Sequence, residues 1–454
     1  MAVQRPNFIF ILADDLGYAD LGCGGARSSD LPGGVSPNLD RMAREGLYFT
    51  QGYSNSPVCS PTRFALATGR YQYRLRGAAE EPLAGGAKGN PILGLPPEHP
   101  TLPSLLRDAG YATALIGKWH LGYRPHFGPE KSGYDYFFGP MAGGVDYFSH
   151  CARNGDHDLW ENEVQVTRKG YLTDLLSART VKYIRDNAAE NAAEKSTKDK
   201  ALTPFLISLH YTAPHWPWET RDDAAESKRI NGAIAHLDGG SIETYRRMIH
   251  HMDEGIGNIM AALKETGADR NTLIVFTSDN GGERFSDNWP FIGNKMDLLE
   301  GGIRVPLIAR WPAVIKRGSK TATPAITMDW TATMLDAAGV KPHRDFPLDG
   351  VSLMPLFKDP RWKPARLLYW RMAHRKQRAL LSGKWKYLRI EEHDYLFDLN
   401  KDARERANQA TRDPQRLAAM RAKWEAWAAT MPGIPADAKV SLLYGEAQMP
   451  RPGH

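Results

Sequence analysis

Cysteine is scarce in this sequence, and the three that occur are far apart. The 454 residues contain Cys23, Cys59 and Cys151. An odd number of widely spaced cysteines does not make a disulfide framework, and no C-x-x-C pair indicates a zinc site. We interpret Cys23 and Cys151 as ordinary packing residues. For Cys59 a disulfide, a metal thiolate, a nucleophile and plain packing are all alternatives.

Long hydrophobic runs are also absent. No stretch approaches the roughly 20 apolar residues that a membrane-spanning helix requires. The apolar run near the start, FIFIL (8–12), is short, is soon followed by two aspartates and lacks a small-residue cleavage site, so it predicts a strand rather than a signal peptide. We expect a cytoplasmic protein, or a periplasmic or secreted one whose leader has been removed, with no membrane partner.

Neither sign of charge dominates the composition. The chain has 58 Lys and Arg against 52 Asp and Glu, which leaves a net charge of +6. We interpret this excess of positive charge as ordinary charged side chains on a solvated surface. It would help to attract an anionic substrate but does not by itself indicate one, and we expect no nucleic-acid partner.

Unbroken apolar runs alternate with helical patterns along most of the chain. NFIFILADD (7–15), ATALIG (112–117), PFLISLHYTAPHWPW (204–218) and NTLIVFTSDNGG (271–282) contain runs typical of strands that are buried on both faces. Strands that alternate with helices predict an α/β fold, with a mostly parallel central sheet and helices on both faces.

Two of the predicted helices have informative ends. A Ser cap signal, Pro in the first turn and amphipathic spacing predict a helix within 36–49 that Ser36 caps. Another helix is predicted over 171–188. It runs into a polar stretch, 189–201, that we expect to be an exposed loop or a frayed helix end.

The character of the sequence changes after about residue 360. Short antiparallel strands are predicted over 367–390 and an amphipathic helix over 414–431, with coil from residue 432. We therefore divide the chain into a large α/β domain, residues 1–365, and a small C-terminal α+β subdomain with a short antiparallel sheet, residues 366–454, packed on it.

Polar side chains stand at or just beyond the ends of three predicted strands. They are Asp14 and Asp15, His210 with His215 just beyond it, and Asp279 and Asn280. Ligand sites of open α/β sheets lie beyond the carboxyl ends of the strands. Three carboxylates and one amide oxygen would repel one another without a cation, and such hard donors suit Ca²⁺ or Mg²⁺ rather than zinc. A divalent-metal site is one interpretation, and ordinary turns or helix caps are the other.

Cys59 opens a short motif, and further motifs follow it along the chain. The blocks are C-x-P-x-R (59–63) with ALATGRY (65–71), IGKWHLG (116–122), APHWPW (213–218), SDNGG (278–282), Lys295 with EGGIRVP (300–306), LDGVSLMPLF (348–357) and GKWKYLR with YLFDLNKDARE (383–405). In this order they resemble the type I, formylglycine-dependent sulfatases of the alkaline phosphatase superfamily. The resemblance covers nearly the whole chain.

The resemblance implies a sulfuric ester hydrolase whose cysteine is modified after translation. Cys59 would be converted to Cα-formylglycine by a formylglycine-generating enzyme, and residues 1–365 would form the catalytic sulfatase domain. Thr62 stands where Ser is commoner in the family. The implied cofactor is Ca²⁺, with Mg²⁺ as the alternative. Its implied ligands are Asp14, Asp15, Asp279, Asn280 and the modified Cys59.

The resemblance also assigns roles around the nucleophile. In the family the aldehyde of formylglycine hydrates to a geminal diol, and one of its two hydroxyls is the nucleophile. Arg63 would brace this diol and the metal carboxylates. Lys118 would contact the nucleophile and a sulfate oxygen, and His120 would take the proton of the second hydroxyl. His215 and Lys295 contact the sulfate and the leaving oxygen, with His215 as general acid. Because Lys118 and His120 alternate, they would face the same side of an extended segment.

The implied reaction is hydrolysis of a small-molecule sulfate monoester through a sulfated-enzyme intermediate. We expect sulfated saccharides as substrates, with aryl sulfates also accepted, and a bacterial origin. The alternative within the superfamily is a phosphonate monoester or phosphodiester hydrolase. Outside it stand a non-catalytic anion-binding protein and a hydrolase that uses the Cys59 thiol with His120.

Overall fold

The computed structural model describes residues 5–26, 30–195 and 202–441. Its strands are β1 (Asn7–Ala13), β2 (Leu47–Phe49), β3 (Gly52–Tyr53), β4 (Ala112–Gly117), β5 (Tyr136–Gly139), β6 (Trp160–Glu161), β7 (Val164–Gln165), β8 (Phe205–His210), β9 (Thr272–Ser278), β10 (Leu307–Arg310), β11 (Ser319–Thr321), β12 (Ala325–Ile326), β13 (Leu367–Arg371), β14 (Arg378–Ser382), β15 (Trp385–Ile390) and β16 (His393–Asp398). Its α-helices are α1 (Pro37–Glu45), α2 (Cys59–Thr68), α3 (Leu102–Asp108), α4 (Leu172–Lys195), α5 (Ala224–Ile230), α6 (Ile242–Glu265), α7 (Glu300–Ile303), α8 (Asp329–Ala338), α9 (Met354–Lys358) and α10 (Pro414–Ala428).

A ten-stranded mixed sheet forms the centre of the molecule, in the order β11-β2-β10-β9-β1-β8-β4-β5-β6-β7. The five strands β9, β1, β8, β4 and β5 pair in parallel. Antiparallel pairs flank them on both sides, β10 with β9 and β6 with β5. β11 also pairs with β2 in parallel, so five of the nine strand pairs are parallel, and the prediction of an α/β fold with a mostly parallel central sheet is confirmed.

Both faces of the sheet are covered, as the apolar runs predict. Phe8, Ile9, Phe10 and Ile11 of β1 alternate between the two faces, and all four are buried. Six of the described helices pack in two groups, α1 and α4 with α6, and α2 and α3 with α8. Among the described residues, no helix combines the length and the apolar composition that crossing a bilayer demands.

A separate four-stranded antiparallel sheet, β13-β14-β15-β16, forms the C-terminal part. The short antiparallel strands expected over 367–390 are present, and β16 adds a strand that we did not predict. α10 packs on β14 and β15. The buried Lys386 of β15 lies 2.9 Å from Glu300 of α7 and 2.8 Å from Glu405, so an ion network connects this sheet to α7. The division at residue 365 stays a prediction.

Two helix boundaries differ from the prediction. The helix expected within 36–49 ends at Glu45, because residues 47–49 form β2, which pairs with β10 and β11 and is fully buried. The helix expected over 171–188 continues to Lys195, since the polar stretch after it begins with alanine and glutamate, which favour helix. Residues 196–201 of that stretch lie outside the described residues.

Ser36 is the N-cap residue of α1, as predicted, but its side chain makes no capping hydrogen bond, and another helix supplies the capping group. The Ser36 hydroxyl donates to the Asp40 carboxylate at 3.1 Å instead of accepting from the helix. Asp253 of α6 accepts from the backbone N–H groups of Asn38 (3.0 Å) and Leu39 (2.7 Å). A carboxylate is favoured at this end of a helix by the helix dipole as well as by the hydrogen bonds.

Replacing Asp253 by Ala should lower the free energy of unfolding by about 2 to 4 kcal/mol, because two helix N–H groups lose a buried charged acceptor. Urea denaturation followed by circular dichroism measures the change. The control is Glu265→Ala at the exposed end of α6, where losing the pair with Arg185 should cost less than about 1 kcal/mol. Equal losses in the two variants would contradict the capping role.

Candidate active site

The register of the sheet brings four polar side chains, three acids and one amide, to the same edge. Ala13, the last residue of β1, lies opposite Ser278, the last residue of β9. The backbone N–H of Asp279 donates to Ala13 O at 3.1 Å, so both chains leave the sheet side by side. Asp14 and Asp15 follow β1, whereas Asp279 and Asn280 follow β9.

The expected cluster forms around Cys59, the first residue of α2. One carboxylate oxygen each of Asp14, Asp15 and Asp279, together with Cys59 Sγ, lie within 4.8 Å of one another, and all four residues are buried. Asn280 joins them through its Nδ2, which donates to Asp15 Oδ1 at 2.7 Å. The predicted metal ligands therefore converge on one point at the end of the sheet.

Burial makes an unmodified Cys59 a neutral group. Its removal from water raises the pKa of the Cys59 thiol well above the usual value, against the lowering effect of Lys118 and Lys295. A thiol in this state is a weak nucleophile and a weak metal ligand near pH 7. The three cysteines are free, so a disulfide at Cys59 is excluded.

Arg63 contacts two of the carboxylates from one turn further along α2. Its guanidinium is fully buried and donates through Nε (3.1 Å) and Nη2 (2.8 Å) to Asp279 Oδ2. Nη2 lies 3.5 Å from Asp14 Oδ2, and Nη1 donates to the backbone oxygen of Lys118 at 3.1 Å. The rigid fork of donors thus ties α2 to the ends of β1, β9 and β4.

The two predicted lysines supply the other positive charges. Lys118 Nζ donates to Asp14 Oδ2, and Lys295 Nζ donates to Asp15 Oδ2 at 2.7 Å. Burial opposes the charged form of Lys295, but the neighbouring Asp15 raises the pKa of this lysine well above its usual value. Glu283, which we did not predict at the site, lies 3.7 Å from the same ammonium group.

Several properties of the cluster fit a divalent cation. Asp14 Oδ1 and Asn280 Oδ1 are buried and have no hydrogen-bond partner among the described residues. Burial raises the pKa of Asp279 to about 6, and the charge of Asp14 adds to the effect. Unsatisfied hard oxygen donors and repelling carboxylates are what Ca²⁺ or Mg²⁺ would satisfy, with Asp14, Asp15, Asp279 and Asn280 as ligands.

His120 reaches the site by a different route from the one predicted. β4 ends at Gly117, and His120 has a φ of 57°, so the segment is not extended and alternation with Lys118 does not hold. The ring is buried, and its Nε2 lies 2.7 Å from the carbonyl oxygen of Leu83. Burial lowers the pKa of His120 well below its usual value, with the charge of Lys118 adding to the effect.

His215 lies at the acidic cluster, with one ring nitrogen within 4.8 Å of Cys59 Sγ and of a carboxylate oxygen of Asp14. Its Nε2 is 3.7 Å from Asp15 Oδ2, and its Nδ1 is 2.7 Å from the backbone oxygen of Trp216. Burial lowers the pKa of His215 to about 3 against the opposing charge of Asp15, so the ring is neutral near pH 7. A carbonyl oxygen only accepts, so Nδ1 carries the proton and Nε2 has the lone pair.

Two consecutive glycines that we did not predict pack against the histidine rings. A Cβ at Gly143 would lie 2.5 Å from Cε1 of His120, and one at Gly144 would lie 3.0 Å from Cε1 of His215. The pair of adjacent glycines in the sequence is a signal of close approach, but it does not indicate which side chains fill the space.

This geometry can be compared with known proteins. Residues 6–340 match the sulfatase family model, and residues 291–425 match the model described as N-sulphoglucosamine sulphohydrolase, C-terminal. The chain belongs to the sulfatase family. The predicted family and its sulfuric ester hydrolase class are thereby confirmed.

Several sulfatases are similar over most of the chain. N-acetylgalactosamine-6-sulfatase of Mus musculus is 33% identical over 390 residues, which cover 82% of this chain and 69% of that protein. Steryl-sulfatase of Mus musculus is 32% identical over 428 residues, covering 79% of this chain and 66% of that protein. The crystal structure of Ps i-CgsB in complex with k-i-k-neocarrahexaose has a TM-score of 0.82 and 29% identity and covers 94% of both chains.

Calcium should raise the thermal unfolding midpoint of the protein, because a ligand that binds only the folded state stabilises it by about 2.7 kcal/mol at one hundred times its Kd. Differential scanning calorimetry in EGTA and in CaCl₂ or MgCl₂ measures the shift. Asn280→Ala removes a candidate amide ligand and should abolish most of the shift, whereas the exposed Asn154→Ala should retain it. If neither cation changed the unfolding midpoint of the wild-type protein, the proposed metal site would be contradicted.

Proposed function

We propose that this sulfatase hydrolyses sulfate monoesters through a formylglycine made from Cys59, with Ca²⁺ bound beside it. The observation that carries the proposal is the position of Cys59 within 4.8 Å of the carboxylate oxygens of Asp14, Asp15 and Asp279. A formylglycine-generating enzyme would act on the C-x-P-x-R motif during maturation.

The environment of Cys59 favours an oxygen group over sulfur. A buried thiol with a raised pKa matches neither nucleophilic chemistry nor a hard cation, whereas a hydroxyl of a hydrated aldehyde is an oxygen donor like its neighbours. Bound Ca²⁺ would polarise the sulfate group and favour the deprotonated hydroxyl. The N-terminus of α2 also presents its positive end to an anion at residue 59.

The basic side chains suit a bound sulfate. Lys118 and Lys295 are held at the cluster by Asp14 and Asp15, where each can also donate to a sulfate oxygen. Arg63 bonds only carboxylate and backbone oxygens in the contacts described above, so it acts by positioning α2 and Asp279. The arrangement neutralises an anion in a site from which water is largely excluded.

Two histidines and one lysine can exchange protons at the site. His120 can accept the proton of the second hydroxyl of the hydrated residue 59. The free lone pair of His215 is on Nε2, so this histidine must gain a proton there before it protonates a leaving oxygen, and a bound anion would favour that. Lys295 is already protonated near pH 7 and can donate to the same oxygen.

We also propose sulfated saccharides as the substrate class. In support, the similar proteins include N-acetylgalactosamine-6-sulfatase and Ps i-CgsB, the latter crystallised with k-i-k-neocarrahexaose. The half-buried Trp216 lies against His215, with ring centroids 4.0 Å apart, and offers an aromatic surface at the site. The phosphonate monoester hydrolase of Agrobacterium radiobacter shares the fold with a TM-score of 0.57 at 19% identity, which carries no argument for that activity.

Cys59→Ala should abolish turnover of 4-nitrophenyl sulfate, because alanine cannot supply an oxygen nucleophile. Cys151→Ala, where the half-buried sulfur contacts only the backbone oxygen of Ser149 among the contacts of the described residues, should retain wild-type kcat. Mass spectrometry of the peptide around residue 59 should show that one sulfur and two hydrogens are replaced by one oxygen. Activity that persists in Cys59→Ala, or an active protein with an intact thiol, would refute the mechanism.

Protein with a verified formylglycine should release sulfate from sulfated saccharides faster than it cleaves a phosphodiester. N-acetylgalactosamine 6-sulfate, its 4-sulfate isomer, 4-nitrophenyl sulfate and bis-4-nitrophenyl phosphate form a discriminating set, assayed by ion chromatography for released sulfate and by absorbance for nitrophenol. A higher kcat/KM for the phosphodiester than for every sulfate ester would overturn the proposed activity. A preference for the aryl sulfate over both saccharides would overturn only the substrate class.

A further inference from the structure

We propose that Ser60 and Gly143 are positioning residues for His120. Ser60 holds Leu83, whose carbonyl oxygen keeps the proton of His120 on Nε2, and Gly143 provides the space in which the ring takes that orientation. The kinetic consequence rests on the proposed function, in which His120 accepts a proton, whereas the structural consequence does not.

A short series of hydrogen bonds connects the residue after Cys59 to the histidine. Ser60 Oγ accepts from the backbone N–H of Leu83 at 2.8 Å, and Leu83 O is 2.7 Å from His120 Nε2. All three residues are buried. A single residue, 83, therefore carries both contacts, and its placement depends on a side chain next to residue 59.

The carbonyl oxygen of Leu83 determines which ring nitrogen is protonated. Because a carbonyl oxygen only accepts, Nε2 of His120 must carry a hydrogen, and in the neutral ring the lone pair is then on Nδ1. His120 Nδ1 is buried and has no hydrogen-bond partner among the residues of the described ranges. A proton acceptor of a reaction needs such a free lone pair.

Gly143 determines where the ring can lie. A Cβ at this position would be 2.5 Å from Cε1 and 2.6 Å from Nε2 of His120, closer than real Cβ atoms come to other atoms. Gly143 does not have a positive φ, so glycine is needed here for steric reasons and not for its backbone conformation. The backbone N–H of His120 donates to Met141 O at 3.1 Å, which restrains the segment before Gly143 from moving away. An added methyl group would therefore displace the ring from Leu83.

The tautomer can be measured directly. Two-dimensional ¹H–¹⁵N spectra of protein labelled at histidine distinguish an unprotonated Nδ1 from an unprotonated Nε2, and the His120 signals are assigned by their loss in His120→Asn. We expect the Nε2–H tautomer in the wild type and a mixture of tautomers in Ser60→Ala and Gly143→Ala. Gly85→Ala is the control, because a Cβ there meets open space.

The same variants, loaded with formylglycine and checked by mass, should lose about tenfold to a hundredfold in kcat with little change in KM. Ser60→Thr keeps the hydroxyl group and should retain both the wild-type tautomer and the wild-type rate. This variant therefore distinguishes loss of the hydrogen bond to Leu83 from a general loss of folding. A wild-type proton on Nδ1, or an unchanged His120 spectrum in folded Gly143→Ala and Ser60→Ala, would overturn the positioning roles. An altered tautomer with unchanged kcat would instead contradict the proposed role of His120 in the reaction.

Discussion

Mutual repulsion between three buried carboxylates is the constraint on which this structure depends. Asp14, Asp15 and Asp279 are nearly or fully removed from water, where unpaired charges are costly. Arg63, Lys118 and Lys295 oppose them, one basic group for each acid, and come from three different parts of the chain. Because removal of one partner from a buried ion pair leaves an uncompensated charge, each of these residues also contributes to the fold.

The fold makes this cluster possible through the register of two neighbouring strands. β1 and β9 end at the same level, and the start of α2 is held there by Arg63 and not by sequence proximity. Residue 59 is more than 200 positions from Asp279 in the chain. The buried sheet thus acts as a rigid frame that holds the acids, while Arg63 of α2 fastens the segment of residue 59 to them.

The part of this site that could be predicted from the sequence is the part that local patterns encode. Unbroken apolar runs identified the central strands, and acids directly after two of them indicated a shared edge. The cap of α1 by Asp253 could not be found this way, because its partners are about 215 residues away. The backbone of His120 could not be found either, since an L-residue with positive φ is stabilised by tertiary contacts that spacing does not describe.

The positions of the two histidines in their motifs do not determine which ring nitrogen of each is protonated. Leu83 O accepts from Nε2 of His120, whereas the backbone oxygen of Trp216 accepts from Nδ1 of His215, so the two rings have opposite tautomers. The lone pair is on Nδ1 in one ring and on Nε2 in the other. Backbone carbonyls therefore determine which atom of each ring can exchange a proton with a substrate. Substituting the histidines themselves would not reveal this effect.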